Sequence, residues 1–278
     1  MNIRDILQEI DALKAVYASA PKIDEAVTKK RLEQFMVENT YNSNAIEGNS
    51  LTLRETATVI LEGVTIDKKP VKDHLEAIGH KDAFIYVVDM VKDDVPFSLK
   101  AVRDIHSLVL MNDAKNRGQF RQYPVEILGS SYMPPPPEQV PILMGELMDS
   151  YNTDNRHPIE KISDFHIRFE RIHPFIDGNG RSGRLILNLE LMRAGYAPVD
   201  IKFKDRDVYY ACFDDYDVNG KADMFIGVIA KYELEEMKKL AHLATYAKSD
   251  FKERLEAVKG EVEAHNQQTK NCQGNLTK

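Results

Sequence analysis

Apolar residues recur at helical spacing along most of the chain. Ile3, Ile6, Ile10, Leu13 and Val16 predict a helix over 3–18, and a second helical run covers about 24–39. Thr52-Leu53-Arg54-Glu55 reads as a capping box, opening a helix that stops near Gly63. Leu75, Ile78, Ile85 and Val88 mark a long amphipathic helix over 71–92. Ser98 caps another, with Leu99, Val102, Ile105 and Val109 on its inner face. Helices resume near Glu138 and at Pro158, where proline suits a first turn. Ile162, Phe165, Phe169 and Ile172 form a 3-4-3 stripe that Pro174 ends. A helix from about Arg181 points Leu185, Leu189 and Met192 inward and stops at Gly195, and two more fill 205–217 and 222–245. One stretch departs from this period. Val125 and Ile127 alternate within Tyr123–Leu128, ahead of Gly129-Ser130-Ser131, and the return arm runs into four prolines at 134–137. That pattern predicts a small exposed hairpin on a helical body.

The organisation expected is an N-terminal helical region over 1–50, a core over 51–245 and a charged tail over 246–278 whose last residues are disordered. At 43% hydrophobic, the 278 residues suffice for a sizeable core. The net charge of −7 argues against nucleic acid or anionic membrane as a partner of the whole surface. Cys212 and Cys272 stand far apart, outside any metal-ligand spacing, as in a reducing compartment. The N-terminus lacks the apolar run of a signal peptide, and no apolar stretch approaches ~18 residues. A cytoplasmic location is expected.

The densest chemistry lies in Ile172-His173-Pro174-Phe175-Ile176-Asp177-Gly178-Asn179-Gly180-Arg181-Ser182-Gly183-Arg184. Gly178 and Gly180 permit backbone turns in which successive N–H groups face one side. The loop feeds a helix, whose N-terminus adds free donors and positive potential. Arg181 and Arg184, three apart, are neighbours on its first turn. Together these suit several phosphates. Asp177 becomes useful if Mg²⁺ bridges it to phosphate oxygens. His173 stands where a base could take a proton from a hydroxyl attacking a bound phosphate. Each piece alone has an ordinary reading as a helix end, a turn or a solvated arginine; their order is what assembles a site.

This segment resembles the signature of the Fic (filamentation induced by cAMP) family, His-Pro-Phe-x-(Asp/Glu)-Gly-Asn-Gly-Arg-x-x-Arg, at every specified position from His173 to Arg184. The resemblance covers about residues 50–240. It implies an all-α fold with a small β-hairpin flap, and transfer of AMP from Mg-ATP to a hydroxyl of a target protein, with release of pyrophosphate. In that scheme His173 is the general base and Asp177 holds the Mg²⁺. Asn179 and the Gly178–Gly180 backbone cradle phosphates, and Arg181 and Arg184 anchor the outer ones. Phe175 pins the loop. Gly180 counts against the kinase-like Doc branch, which commonly has lysine there. The 125–137 hairpin resembles the family's flap, whose edge could take a target strand. The Tyr209-Tyr210 pair resembles its adenine-side helix, with Tyr210 toward the nucleotide. A homodimer is plausible for the family.

A second resemblance lies in Ser43-Asn44-Ala45-Ile46-Glu47-Gly48, which matches the family's inhibitory motif (Ser/Thr)-x-x-x-Glu-(Gly/Asn). If helical, Ser43 and Glu47 share a face one turn apart. The resemblance implies that Glu47 pairs with Arg184 and takes the arginine meant for the γ-phosphate. Three readings follow: a protein AMP-transferase restrained by Glu47, an enzyme that removes AMP from a modified protein, or a nucleotide-sensing interaction module.

Overall fold

The computed structural model describes residues 2–21, 23–127, 129–248, 256, 258 and 259; most of the C-terminal tail expectation, and Cys272, lie outside them. The fold is helical, and no strand occurs among the described residues. The order is α1 (Ile3–Ala18), α2 (Glu25–Ile46), α3 (Leu53–Ala57) running into a π-turn over Thr58–Glu62, α4 (Val71–Lys92) and α5 (Leu99–Val109). Then come α6 (Val140–Thr153), α7 (Pro158–Ile172), α8 (Asn179–Arg193), α9 (Arg206–Asn219) and α10 (Asp223–Lys248). The predicted caps form. Thr52 Oγ1 accepts from Glu55 N–H at 3.3 Å while Glu55 Oε2 accepts from Thr52 N–H at 2.8 Å, and Gly63 ends the π-turn left-handed at φ 69°.

Helix α8 is the axis of the molecule. Leu185, Ile186, Leu187, Leu189 and Leu191 are all buried, as are Asn188 and Glu190 between them, so it is enclosed on every side and packs against α4, α5 and α7. Two differences from the sequence pattern follow from this centrality. The helix starts at Asn179, two residues before Arg181, and its burial extends well beyond a single stripe. At the opposite side α1 lies along α10 and gives Ile6, Leu7 and Ile10 to the main core.

Helix α2 does not stop at 39 but continues through the polar stretch to Ile46. Asn, Thr and Ser are poor helix formers, so propensity favours an earlier end. Tertiary bonding overrides it. Asn39, Thr40, Asn42, Ser43 and Asn44 are all buried. Asn42 Nδ2 donates to Asp200 at 2.8 Å and its Oδ1 accepts from Phe203 N–H at 3.0 Å; Thr40 bonds His80 at 3.1 Å.

The predicted hairpin is corrected. Among the described residues of 121–136 no strand or ladder forms, and Ser130 N–H donates to Ile127 O at 3.1 Å. Val125 and Ile127 do face inward relative to exposed Glu126. The return arm is proline-rich and lacks the N–H groups a ladder needs. Among the described residues no helix is long and apolar enough to cross a membrane.

Candidate active site

The site forms where α7 ends and α8 begins. His173 closes α7 in the left-handed region at φ 48°, a conformation that costs a non-glycine residue of order 1 kcal/mol. Pro174 prevents the helix from continuing. The chain reverses through Gly178, left-handed at φ 75°, into the first turn of α8. Phe175 is fully buried and stacks on His106 with centroids 3.6 Å apart. His106 Nδ1 accepts from Gly118 N–H at 2.9 Å, which leaves Nε2–H to donate to the Asp177 carbonyl at 2.9 Å. Burial pushes the His106 pKa down to about 4 and keeps that neutral tautomer. The Asn179 side chain closes the turn, donating to Phe175 O and accepting from Phe175 N–H, both at 2.9 Å. Its amide is therefore turned inward, and what it offers outward is backbone.

His173 Nδ1 lies 3.2 Å from the Glu170 carbonyl. With the proton on Nδ1, Nε2 carries the free lone pair. Burial holds its pKa below the ordinary histidine value, so the ring is a neutral base near pH 7. Asp177 is half exposed; Oδ1 accepts from Gly178 N–H and from Arg181 Nη2 at 3.1 Å, while Oδ2 takes no bond. Arg181 is almost fully buried. Its Nη1 sits 3.2 Å from Glu76 on α4, close enough for ion pairing but out of line for a hydrogen bond. Nε and Nη1 therefore remain buried donors without acceptors.

Arg184, one turn further, is bound from α2. Nε donates to Ser43 Oγ at 3.0 Å, Nη2 to Ser43 O at 2.9 Å and to Glu47 Oε1 at 2.8 Å. Tyr209 OH lies 3.4 Å from Nη1. Burial disfavours the guanidinium charge, but Tyr209 and Glu47 outweigh it and raise the pKa. The Glu47 carboxylate rests on Gly180, where a Cβ would collide with it. Gly180 is thus needed for close approach, since its own backbone is helical. Glu170 occupies the matching place over Gly183, and burial raises its carboxyl pKa to about 8.

The structure brings Asp177, Gly178, Asn179, Gly180, Arg181 and Arg184 onto one loop and first turn, and Ser43 and Glu47 onto Arg184. Tyr210 is half exposed and donates to the Ile46 carbonyl at 3.1 Å, so it borders the end of α2; Tyr209 is the buried member, bonded to His166 at 2.9 Å. The pattern reading passed over Glu76, His106 and Glu170, and of the Tyr209-Tyr210 pair it turned Tyr210, not Tyr209, toward the site. A polar residue on the inner face of an amphipathic helix was the available signal: Glu76 and His80 fall beside Ala77, Ala83 and Phe84 on α4.

An all-helical body with a glycine turn, a free imidazole nitrogen and two buried arginines at one helix N-terminus defines an anion-handling, phosphate-type site. Residues 96–191 match the Fic/DOC family. A protein adenylyltransferase Fic of Drosophila willistoni is 32% identical over 208 residues, covering 73% of this chain and 41% of the relative. One of Drosophila grimshawi is 33% identical, covering 72% and 41%. A Fic domain containing signaling protein from Bacteroides thetaiotaomicron superposes with TM-score 0.79 at 25% identity, over 87% of this chain and 99% of that one. Fic-1 from C. elegans does so with TM-score 0.76 at 27% identity, over 86% and 71%. The chain belongs to the Fic/DOC family. It spans about two fifths of the length of the curated relatives it matches.

Proposed function

We propose that the protein transfers AMP from ATP to a hydroxyl side chain of a protein target. The observation that carries this reading is the pairing of a neutral His173, its Nε2 free, with buried Arg181 donors that lack acceptors on the adjoining helix turn. Relatives named protein adenylyltransferase support it. The α8 N-terminus and the arginines hold the phosphates. The Ser, Thr or Tyr hydroxyl oxygen of the target bonds the α-phosphorus, the bond from that phosphorus to the β-bridging oxygen breaks, and pyrophosphate leaves. His173 Nε2 takes the hydroxyl proton as attack proceeds. The unladdered backbone around Val125–Ile127 is open to receive the target as an added strand.

The residues present fit Mg²⁺ bound chiefly through the nucleotide. Asp177 offers one free carboxylate oxygen, and no group of three acidic, His or Cys side chains among the described residues makes a protein-only cage. When bound, the ion would neutralise phosphate charge. Glu47 restrains the enzyme by occupying Arg184. The test is full-length Glu47→Gly incubated with Mg²⁺ and α-labelled ATP, reading label on protein and pyrophosphate release. Neither product above background would sink the reading. Removal of AMP from a modified protein is a second reading. One observation favours it: only Oε1 of Glu47 is engaged, leaving Oε2 to orient a water. Release of AMP from a labelled protein, lost in Glu47→Gly, would select it.

A further inference from the structure

Arg121 lies outside the signature, yet its side chain makes four hydrogen bonds beside the catalytic turn. It is 5% exposed, and no carboxylate lies within ion-pair distance of it among the described residues. Its guanidinium is instead shared among backbone carbonyls. Nε donates to His173 O at 2.9 Å and Nη2 reaches Ile172 O at 3.5 Å. Nη1 donates to Tyr123 O at 3.2 Å and Nη2 to Pro135 O at 2.5 Å. The Arg121 N–H donates to Pro174 O at 2.9 Å.

A buried cation that no carboxylate touches, with Glu138 attracting it only from further off, is an expensive way to hold a chain together. Its position explains the expense. One pair of carbonyls is the last of α7, on the residues that carry the base. The other pair, on Tyr123 and Pro135, flanks the 123–135 segment, which has no ladder among its described residues. The planar fork holds its donors in fixed directions. A shift of either segment end therefore moves the carbonyl of His173, a residue already in a strained left-handed conformation.

We propose that Arg121 is a positioning residue that couples the 123–135 segment to His173, so that seating a target on the segment sets the reach of the base. This rests on the AMP-transfer reading for what is seated. The clamp bonds no group of α8, so nucleotide binding is separable from it.

The test uses full-length Arg121→Met and Arg121→Lys, each in the Glu47→Gly background. Met keeps the stem without charge or donors; Lys keeps charge without the fork. Both should speed amide hydrogen exchange within 122–136 by at least ~10-fold while exchange in α4 and α8 stays unchanged. The Met variant should raise the His173 titration midpoint followed by ring ¹H–¹⁵N NMR, since a nearby cation and some burial are both lost. Lys should move it less. Mg-ATP affinity by calorimetry should stay within about twofold, while AMP incorporation falls by ~10-fold or more, as expected for a misplaced base. Exchange and titration equal to the Glu47→Gly parent would overturn the coupling. So would a uniform rise in exchange across α4, α7 and α8, which marks a general prop. If the parent itself incorporates no AMP, the transfer reading falls, while exchange and titration still decide the clamp.

Discussion

Two helix ends meet at Arg184, and they are built in opposite ways. The first turn of α8 is glycine-rich and strained on entry, and the polar atoms it leaves over are Nε and Nη1 of the Arg181 guanidinium and the Ser182 hydroxyl. The last turns of α2 are regular helix, with polar side chains packed inside the protein. The atoms left over there are amide oxygens, those of Asn39 and Asn44. One end seeks an anion. The other brings its own, Glu47, and lays it on the first. In the proposed reading, catalytic capacity and restraint reside in separate segments that share a single guanidinium, so each should be breakable without the other.

The largest effect is expected on the α8 side. His173→Ala in the Glu47→Gly background removes the base and leaves α2 untouched. Transfer should fall at least ~10²-fold, about 2.7 kcal/mol in the barrier. Mg-ATP affinity should hold, because the imidazole binds no phosphate in this scheme. Steady-state AMP incorporation beside calorimetric titration checks both halves. Near-normal incorporation would remove His173 from the mechanism.

Two buried imidazoles make both sides sensitive to acid. Behind α2, His80 bonds Thr40; behind the loop, His166 bonds Tyr209. Burial, with Arg184 nearby, depresses both pKa values to about 3. The unfolded chain binds these protons near pH 6.5 and the folded chain resists them. Their stabilisation is therefore complete above pH 6.5 and is lost as pH falls from there toward 3. Each imidazole contributes up to ~1.4 kcal/mol of loss per pH unit in that window. Glu170 and Glu233 act the other way, because burial raises both carboxyls to about 8 and they gain stability as pH falls from 8 toward 4.5. The imidazole share is therefore the difference in pH slope between wild type and a double His80→Gln, His166→Gln variant in denaturant melts at pH 7.0, 6.0 and 5.0. An unchanged slope in that variant would assign the acid sensitivity elsewhere.

The contrast also explains what could be read from the chain. Helices α1, α5 and α7 announce themselves because one face is apolar and the other wet. Helix α4 forms where expected, but its buried face is Ala77, Ala83, Phe84, Val87 and Met90, while Ile85 of the predicted stripe is exposed. The Gly178–Arg184 turn is legible because its polar residues are contiguous. The end of α2 is not, since Asn39, Asn42 and Ser43 are helical only through Asp200 and Arg184, partners about 140–160 positions away. The Val125–Ile127 alternation gives the right inward and outward faces but the wrong element. Alternation reports burial, whereas a ladder needs a partner strand, and here the segment is held by Arg121. Glu76, His106 and Arg121 stay hidden for the same reason: each acts on a backbone or a charge supplied from elsewhere.

Removing the restraint should have a smaller effect than removing the base. Glu47→Gly frees Arg184 for the outer phosphate and should raise AMP incorporation by ~10-fold, the worth of about 1.4 kcal/mol, although glycine at the end of α2 costs up to ~1 kcal/mol of helix stability. Arg184→Ala in that background should cancel the gain. Singles and the double measured under one condition give the coupling. Additive effects would mean that the 2.8 Å contact is not what restrains the enzyme.

The smallest effect separates the carboxylate from the helix that delivers it. Asn42 faces away from Arg184 and ties α2 to the 200–203 connection through Asp200 and Phe203. Asn42→Ala deletes both bonds and leaves Glu47 in the sequence. Burial holds the Asp200 carboxyl above its ordinary pKa, and it keeps Asn39 at 3.3 Å and Lys202 at 2.6 Å, so the connection itself should stay folded. Losing one buried amide should cost ~1–3 kcal/mol of stability. If α2 is a lever whose tether sets how firmly Glu47 rests on Gly180, AMP incorporation should rise about 2–3-fold, well short of Glu47→Gly. Adding Glu47→Gly should then erase the difference between the chain with Asn42 intact and the Asn42→Ala variant. Loss of stability with no rise in incorporation would mean that the polar end of α2 only completes the fold, and that restraint depends on the carboxylate alone.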